Sequence, residues 1–199
     1  NDKVYHLGDV VINRKALKIM SRLNGDKVLI RGNHDIFRDD EYRLYFRELR
    51  AYHVMNGMIL SHIPIHTESL GRFGTNIHGH LHANRVMMEP AGKYGIPVID
   101  TRYHCVCVEQ TPDFAPILFE DVIKRIEEEG ERDRLKELVN NCMEAEGLTG
   151  EAGFILRTAA EGVGEDEILA DTRYLRRLWR KLEERIKDNK APSLVYDEL

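Results

Sequence analysis

The sequence predicts an α/β protein in two parts: a sheet-rich first part flanked by helices, then a smaller α+β segment built on a long helix. Three observations carry this reading. Short apolar runs that end in Gly-containing loops recur from Val4 to Glu109, the chain opens with a strand-helix-strand succession, and charged helical segments take over after Pro112 and Pro116.

Val4-Tyr5-His6-Leu7 is a short apolar run ending at Gly8-Asp9, read as a buried strand that delivers an acid into a loop. Ala16, Leu17, Ile19, Met20 and Leu23 fall at helical spacing across Lys15 to Leu23, and Asn24-Gly25 supplies the stop. Lys27-Val28-Leu29-Ile30-Arg31 returns as a strand. Such a crossover unit carries its chemistry in the loops beyond its strands, here Gly8-Asp9 and Gly32-Asn33-His34-Asp35. A charged helix is expected near Asp40 to Leu49. Asn56-Gly57, between Val54 and Met58 to Leu60, is the preferred dipeptide of a two-residue hairpin turn, and the second strand ends at Ser61-His62.

Thr75 to His78 leads into Gly79-His80-Leu81-His82, and Tyr103 to Glu109 alternates as a strand. A helix from Phe119 to Glu129 is expected to grade through Gly130 into a second from Glu131 to about Met143. That junction divides the chain into domains 1–128 and 129–199. Beyond it come a strand at Phe154-Ile155-Leu156, an Arg-rich helix from Glu165 to Lys187 and a final apolar Leu194-Val195-Tyr196.

The 199 residues are 42% hydrophobic and 32% charged, as in ordinary globular proteins. A net charge of -5 exerts no global pull toward nucleic acid or an anionic membrane, so a phosphate-bearing partner must be held locally. No apolar run reaches the about 20 residues that cross a bilayer, and signal-peptide zones are absent, so a cytoplasmic location without membrane partners is expected. Three cysteines fit a reducing compartment, and Cys105 and Cys107 lack zinc-knuckle spacing. The start at Asn1 suggests that sequence is missing upstream.

Five of the nine histidines lie between His62 and His82, three of them in Ser-His or Gly-His-Leu-His contexts rather than on regular apolar faces. Two divalent ions about 3.5 to 4 Å apart need a bridging carboxylate with imidazole and carbonyl-type ligands, and the sequence supplies those groups. Taken singly each word is weak: Gly-Asp is common, and Asn-His-Asp occurs in plain turns. His6 reads as a packed imidazole, and His53, His66, His78 and His104 as structural or surface residues, with His66 or His78 the ones open to substrate.

Gly8-Asp9, Gly32-Asn33-His34-Asp35, Ser61-His62 and Gly79-His80-Leu81-His82 follow the order and approximate spacing of the calcineurin-like metallophosphoesterases, which residues 1–128 resemble. The resemblance implies a truncated β-sandwich flanked by helices. It implies hydrolysis of a phosphomonoester or phosphodiester by hydroxide activated on two divalent ions, manganese, iron, zinc or nickel. It makes Asp9 the bridge, assigns Asn33, His62 and His80 to one ion and His82 to the other, and makes His34 the proton donor with Asp35 orienting it. The family's opening Asp-x-His word is missing, which implies that only one ion is retained.

Gly153-Phe154-Ile155-Leu156-Arg157-Thr158-Ala159-Ala160-Glu161-Gly162, with Asp171, Leu175, Leu178-Trp179 and Ala191-Pro192-Ser193-Leu194, resembles instead the ribonuclease E/G family, in the region that senses an RNA 5′-monophosphate. That resemblance covers about Glu131 to the C-terminus. It implies that Arg157 and Thr158 grip a terminal phosphate, a role suited to a guanidinium and a hydroxyl. It stops short of that family's magnesium-binding aspartates. Arg173, Arg176, Arg177 and Arg180 share their helix with Glu183, Glu184 and Asp188 and read as a solvated ion-pair face, while Trp179, Leu175 and Leu178 read as core packing. The alternative to an active phosphoesterase is therefore an RNA 5′-end-binding module on an impaired phosphoesterase scaffold. Two partial resemblances in one chain suggest a chimera, a rearranged gene or a fragmentary reading frame.

Overall fold

Lys3–His6 (β1), Asp26–Ile30 (β2) and Glu48–Arg50 (β3) form a parallel sheet in the order β1-β2-β3. The central strand is an unbroken apolar run because it is covered on both faces. Leu29 packs into one cluster with Val11, Leu17, Met20, Phe37, Tyr42 and Phe46, and Ile30 packs into another. This is a computed structural model, and it describes residues 2–88, 97–148, 153–157 and 160–188. The chain divides into two units, residues 1–126 and 127–199.

The second sheet of the first unit runs β4-β5-β6-β9, from Tyr52–Met55 (β4), Met58–Ser61 (β5), Asn76–His78 (β6) and Tyr103–Cys105 (β9). β4 and β5 are antiparallel through Asn56-Gly57, whose φ values of 50° and 77° are the left-handed pair that a two-residue turn requires. The other two pairings are parallel. Period-two alternation turns Met58, Leu60 and Ile77 toward the cluster that holds Ile30, Tyr5 and Leu7, so residues of both sheets share one core. On the opposite face Asn76 Nδ2 donates to the Ile59 carbonyl at 3.0 Å and to Ser61 Oγ at 2.9 Å. Met87–Met88 (β7) and Val98–Ile99 (β8) form a separate antiparallel pair.

Several helices differ from expectation. The predicted helix over Lys15 to Leu23 is a 3-10 segment, Leu17–Arg22, whose i, i+3 spacing buries Leu17 and Met20 together. The helix expected to reach Leu49 stops at Tyr42 (Asp39–Tyr42, α1), because the Arg47 amide bonds the Lys27 carbonyl at 2.9 Å and the following residues pair with β2. Thr67–Leu70 (α2) is an additional turn of helix, capped by His66. The strand expected from Tyr103 ends at Cys105, and Val108–Gln110 is a 3-10 turn.

Phe119–Ala145 (α3) is one 27-residue helix where two were expected. Gly130 costs a helix about 1 kcal/mol relative to Ala, too little to break one flanked by strong helix formers. Its first turns place Phe119, Val122, Ile123 and Ile126 on the Ile30 cluster of the first unit. Its later turns supply Val139 and Cys142 to the core of the second unit, with Ile168, Phe154 and Leu156. Residues 153–157 join that core without forming the expected strand.

Glu165–Asp188 (α4) is the expected Arg-rich helix. Arg173 and Arg176 pair with Glu146 at 2.7 and 3.6 Å. The core role read for Trp179 and Leu175 is corrected: they are 59% and 45% exposed, and the Trp179 indole donates to Glu183 at 2.9 Å. Among the described residues of their helix only Ile168 and Thr172 are buried. Leu194-Val195-Tyr196 lies outside the described residues. No described helix is long and apolar enough to cross a membrane.

Glu131 ties the second unit together by accepting from Arg134 and from the Gly162 amide, which hold its carboxyl down to about 2 from an ordinary 4.5. A depressed acid stabilises the fold fully above its unfolded value and loses that contribution as pH falls through the folded one. Thermal melting of the chain from pH 6 to pH 2 is therefore expected to fall less steeply for Glu131→Gln than for wild type. Parallel curves through that window would show that Glu131 makes no such contribution.

Candidate metal centre

Leu7-Gly8-Asp9 follows β1, Gly32-Asn33 follows β2, His62 follows β5 and Gly79-His80 follows β6, so four loops meet at the carboxyl ends of parallel strands. His62 is 4% exposed, and its Nδ1 lies 2.6 Å from the Leu7 carbonyl oxygen. A carbonyl only accepts, so Nδ1 donates to it, and Nε2 is the ring atom that faces the other groups of the site. That nitrogen lies 3.2 Å from Asp9 Oδ2, 2.8 Å from Asn33 Oδ1 and 3.2 Å from His80 Nδ1.

The ligand atoms of Asp9, His62 and His80 fall within 4.8 Å of one another. Carboxylate oxygen, amide oxygen and imidazole nitrogen thus turn electron-rich atoms toward one point beside a buried ring. Donors gathered in this way could together hold a divalent cation. The mixed nitrogen and oxygen donors suit a divalent transition metal or manganese.

The backbone explains why the glycine-containing words are spaced as they are. Gly8 has φ +88°, and a Cβ there would stand 2.5 Å from His62 Nδ1. A Cβ on Gly32 would collide with Asp9 Oδ1 and lie 2.6 Å from the Asp9 amide nitrogen. Asp9, His80 and His82 themselves adopt left-handed φ of 52°, 65° and 52°. Non-glycine residues there cost about 1 to 3 kcal/mol each and concentrate at functional sites.

Asp35 departs from its expected role. It is 5% exposed, and its carboxylate accepts from the Asp9 amide at 2.9 Å, the Gly32 amide at 2.8 Å, the Val10 amide at 3.1 Å and the Tyr42 hydroxyl at 3.1 Å. Its acceptor sites are thus directed at two loops and a phenol, not at the His34 imidazole it was expected to orient. His34 is exposed, and its backbone amide donates to Asp9 Oδ1 at 2.8 Å. Burial and the Asp35 charge push the Tyr42 hydroxyl up to about 12.

His82 is not brought into the Asp9-His62-His80 group. Its carbonyl accepts from Gln110, and its largely exposed ring pairs with Glu109 at 2.6 Å, holding that carboxyl below the usual range. Arg157 is exposed, and Thr158 lies outside the described residues. Of the remaining histidines, His6 packs edge-on to Phe46, His53 stacks on Tyr5, His66 caps α2, and His78 is buried against the Gly79 carbonyl. Sequence reasoning missed Leu7, Tyr42 and Glu109. The first acts through its carbonyl, and the other two stand at spacings that no motif marks.

The first unit is therefore an α/β scaffold whose loops gather a candidate metal centre. The ribonuclease E/G family profile matches residues 114–199, beginning upstream of the boundary that the sequence suggested. The chain is 47% identical over 78 residues to ribonuclease G of Escherichia coli (strain K12), which is 39% of this chain and 15% of that protein. The chain thus spans only a small part of the ribonuclease G relatives it matches. It is 33% identical over 131 residues to an uncharacterized protein of Methanocaldococcus jannaschii, covering 63% of this chain and 66% of the relative. A crystal structure of a protein of unknown function from Aquifex aeolicus superimposes with a TM-score of 0.41 and 29% identity, covering 62% of this chain and 75% of that one. None of these names is a phosphoesterase, and the calcineurin-like resemblance of residues 1–128 receives no support from them.

Proposed function

We propose that the first unit is a phosphoesterase dependent on a divalent cation, hydrolysing a phosphomonoester or phosphodiester. The observation that carries the reading is the convergence of Asp9, Asn33 and His80 on Nε2 of the buried His62. Those four residues would hold the cation, which when bound supplies positive charge to a phosphoryl group. Manganese, iron, zinc and nickel all accept this donor set, and His82 is the residue nearest in sequence for a second ion. His34, exposed beside Asp9, takes the role of proton donor to the leaving oxygen, a task for which imidazole is suited near neutral pH. The test is hydrolysis of an aryl phosphodiester with and without Mn(II). Turnover that requires the metal supports the reading, and absence of turnover together with melting insensitive to Mn(II) rejects it.

The comparisons weigh toward a second reading for residues 114–199, an RNA-binding module of the ribonuclease E/G kind. The 47% identity to ribonuclease G carries it. Arg157 and Thr158 would hold a 5′-terminal phosphate, and hydrolysis of RNA is an activity of the whole relative that this chain would share only as part of a larger protein. RNA with a 5′-monophosphate is expected to bind about tenfold more tightly than RNA with a 5′-hydroxyl, as a charge-assisted phosphate contact allows, and Arg157→Ala to erase the difference. Equal binding of the two ends by wild type would eliminate this reading. The two readings concern different residues and stand or fall separately, as does the proposed functional division at residues 128 and 129.

A further inference from the structure

We infer that Asp35 and Tyr42 form a positioning pair that fixes the Asp9 carboxylate for metal binding; the inference rests on the phosphoesterase reading of the first unit. Four donors from three segments converge on the Asp35 carboxylate. Oδ2 takes the amides of Asp9 and Gly32, and Oδ1 takes the amide of Val10 and the hydroxyl of Tyr42. Asp35 is 5% exposed and Tyr42 fully buried, so neither has water to replace a lost partner.

The pair works on Asp9 in two ways. Asp9 sits at φ 52°, a left-handed conformation that Asp tolerates but seldom adopts, and the bond from its amide to Asp35 holds it there. Gly32, gripped by the same oxygen, lies against Asp9 so closely that its missing Cβ is the space the Asp9 carboxylate occupies. With the backbone fixed on both sides, Oδ1 receives the His34 amide and Oδ2 faces His62. The Tyr42 ring is itself held edge-on by Phe37, at 5.6 Å between centroids. Asp35 is thus a positioning residue that acts through Asp9, a role distinct from service to the His34 imidazole.

Two readouts on the full chain test this. Amide hydrogen exchange at Asp9, Val10 and Gly32, followed by NMR without metal, reports the grip itself. Mn(II) affinity by calorimetry reports its consequence. Tyr42→Phe deletes one of the four donors while keeping the ring. It is expected to speed exchange at those amides about fivefold and to weaken Mn(II) binding about tenfold. Asp35→Asn, which turns an amide N–H toward other donors, is expected to have a larger effect on both; if it fails to fold, Tyr42→Phe decides.

Tyr103→Phe is the control. It deletes a comparable hydroxyl bond, to the Ile65 carbonyl at 2.8 Å, and is expected to leave both readouts at their wild-type values. Unchanged exchange in Tyr42→Phe overturns the inference. So does faster exchange with unchanged Mn(II) affinity, which would make the pair a structural tie only, or an equal loss of affinity in Tyr103→Phe. If wild type itself takes up no Mn(II), the phosphoesterase reading falls and takes the positioning role with it.

Discussion

Asp9→Asn is expected to weaken Mn(II) binding by about a hundredfold or more, beyond the 10- to 100-fold losses typical when residues behind a ligand are changed. Asn is the informative replacement because, like Asp, it tolerates the left-handed backbone found at φ 52°. It also keeps an oxygen for the His34 amide, so the change is confined to the negative charge that faces His62 Nε2. Calorimetric titration with Mn(II) provides the measurement, and metal-free melting should move little. An affinity equal to wild type would mean that the Asp9 carboxylate does not hold the metal.

Phe46→Ala is expected to cost about 3 to 5 kcal/mol of stability, a large share of the roughly 5 to 15 kcal/mol that holds a typical domain. Phe46 is 2% exposed in the cluster on the Leu29 face of the parallel sheet, edge-on to His6 at 5.3 Å and to Tyr42 at 6.2 Å. Its removal leaves a cavity bordered by β1, β2 and α1, where the sheet hydrogen bonds between β1 and β2 limit collapse. Denaturant unfolding measures the loss as a lower midpoint at unchanged slope. A loss under about 1 kcal/mol would mean that the site closes over the void. Because Tyr42 is a neighbour, looser metal binding is expected alongside the lost stability.

The sequence disclosed the strands that lead into the site, but β3 and the short helices poorly. β1, β2 and β5 hold apolar runs, β1, β2 and β6 end at the Gly-containing words, and Asn56-Gly57 announces its hairpin through a backbone requirement that few residues meet. Leu17–Arg22 and α1 were overcalled because helical spacing over nine or ten residues does not reveal where a neighbouring strand will capture the chain, as β2 captures Arg47 to Arg50. Gly130 was read as a break although its helix runs on. Trp179 reads as core from its helical spacing with Leu175 and Leu178, but spacing does not say what faces a side chain, and the residue is exposed.

At the site, Asp9, Asn33, His62 and His80 were identified as a group from ordered words, and the structure brings them together. What remained hidden is three-dimensional: the proton on His62 Nδ1 is fixed by a carbonyl 55 residues away, and the Asp35 carboxylate by amides from another loop. His82 shows the converse. Its word suggested a ligand, while the fold turns it toward Glu109, a residue 27 positions on that no local pattern connects to it.

The single long helix has a consequence for where the chain can be cut. The segment matched by the ribonuclease E/G profile begins at residue 114, yet Phe119, Val122, Ile123 and Ile126, all beyond that point, pack with Ile30, Met58, Leu60 and Ile77. The sequence match and the fold therefore divide the chain at different places. A stretch inside the matched segment serves as a wall of the first unit's interior, and an α-helix suits that service because it satisfies its own backbone whatever it rests on. Excising residues 114–199 would open the first unit to water at that wall.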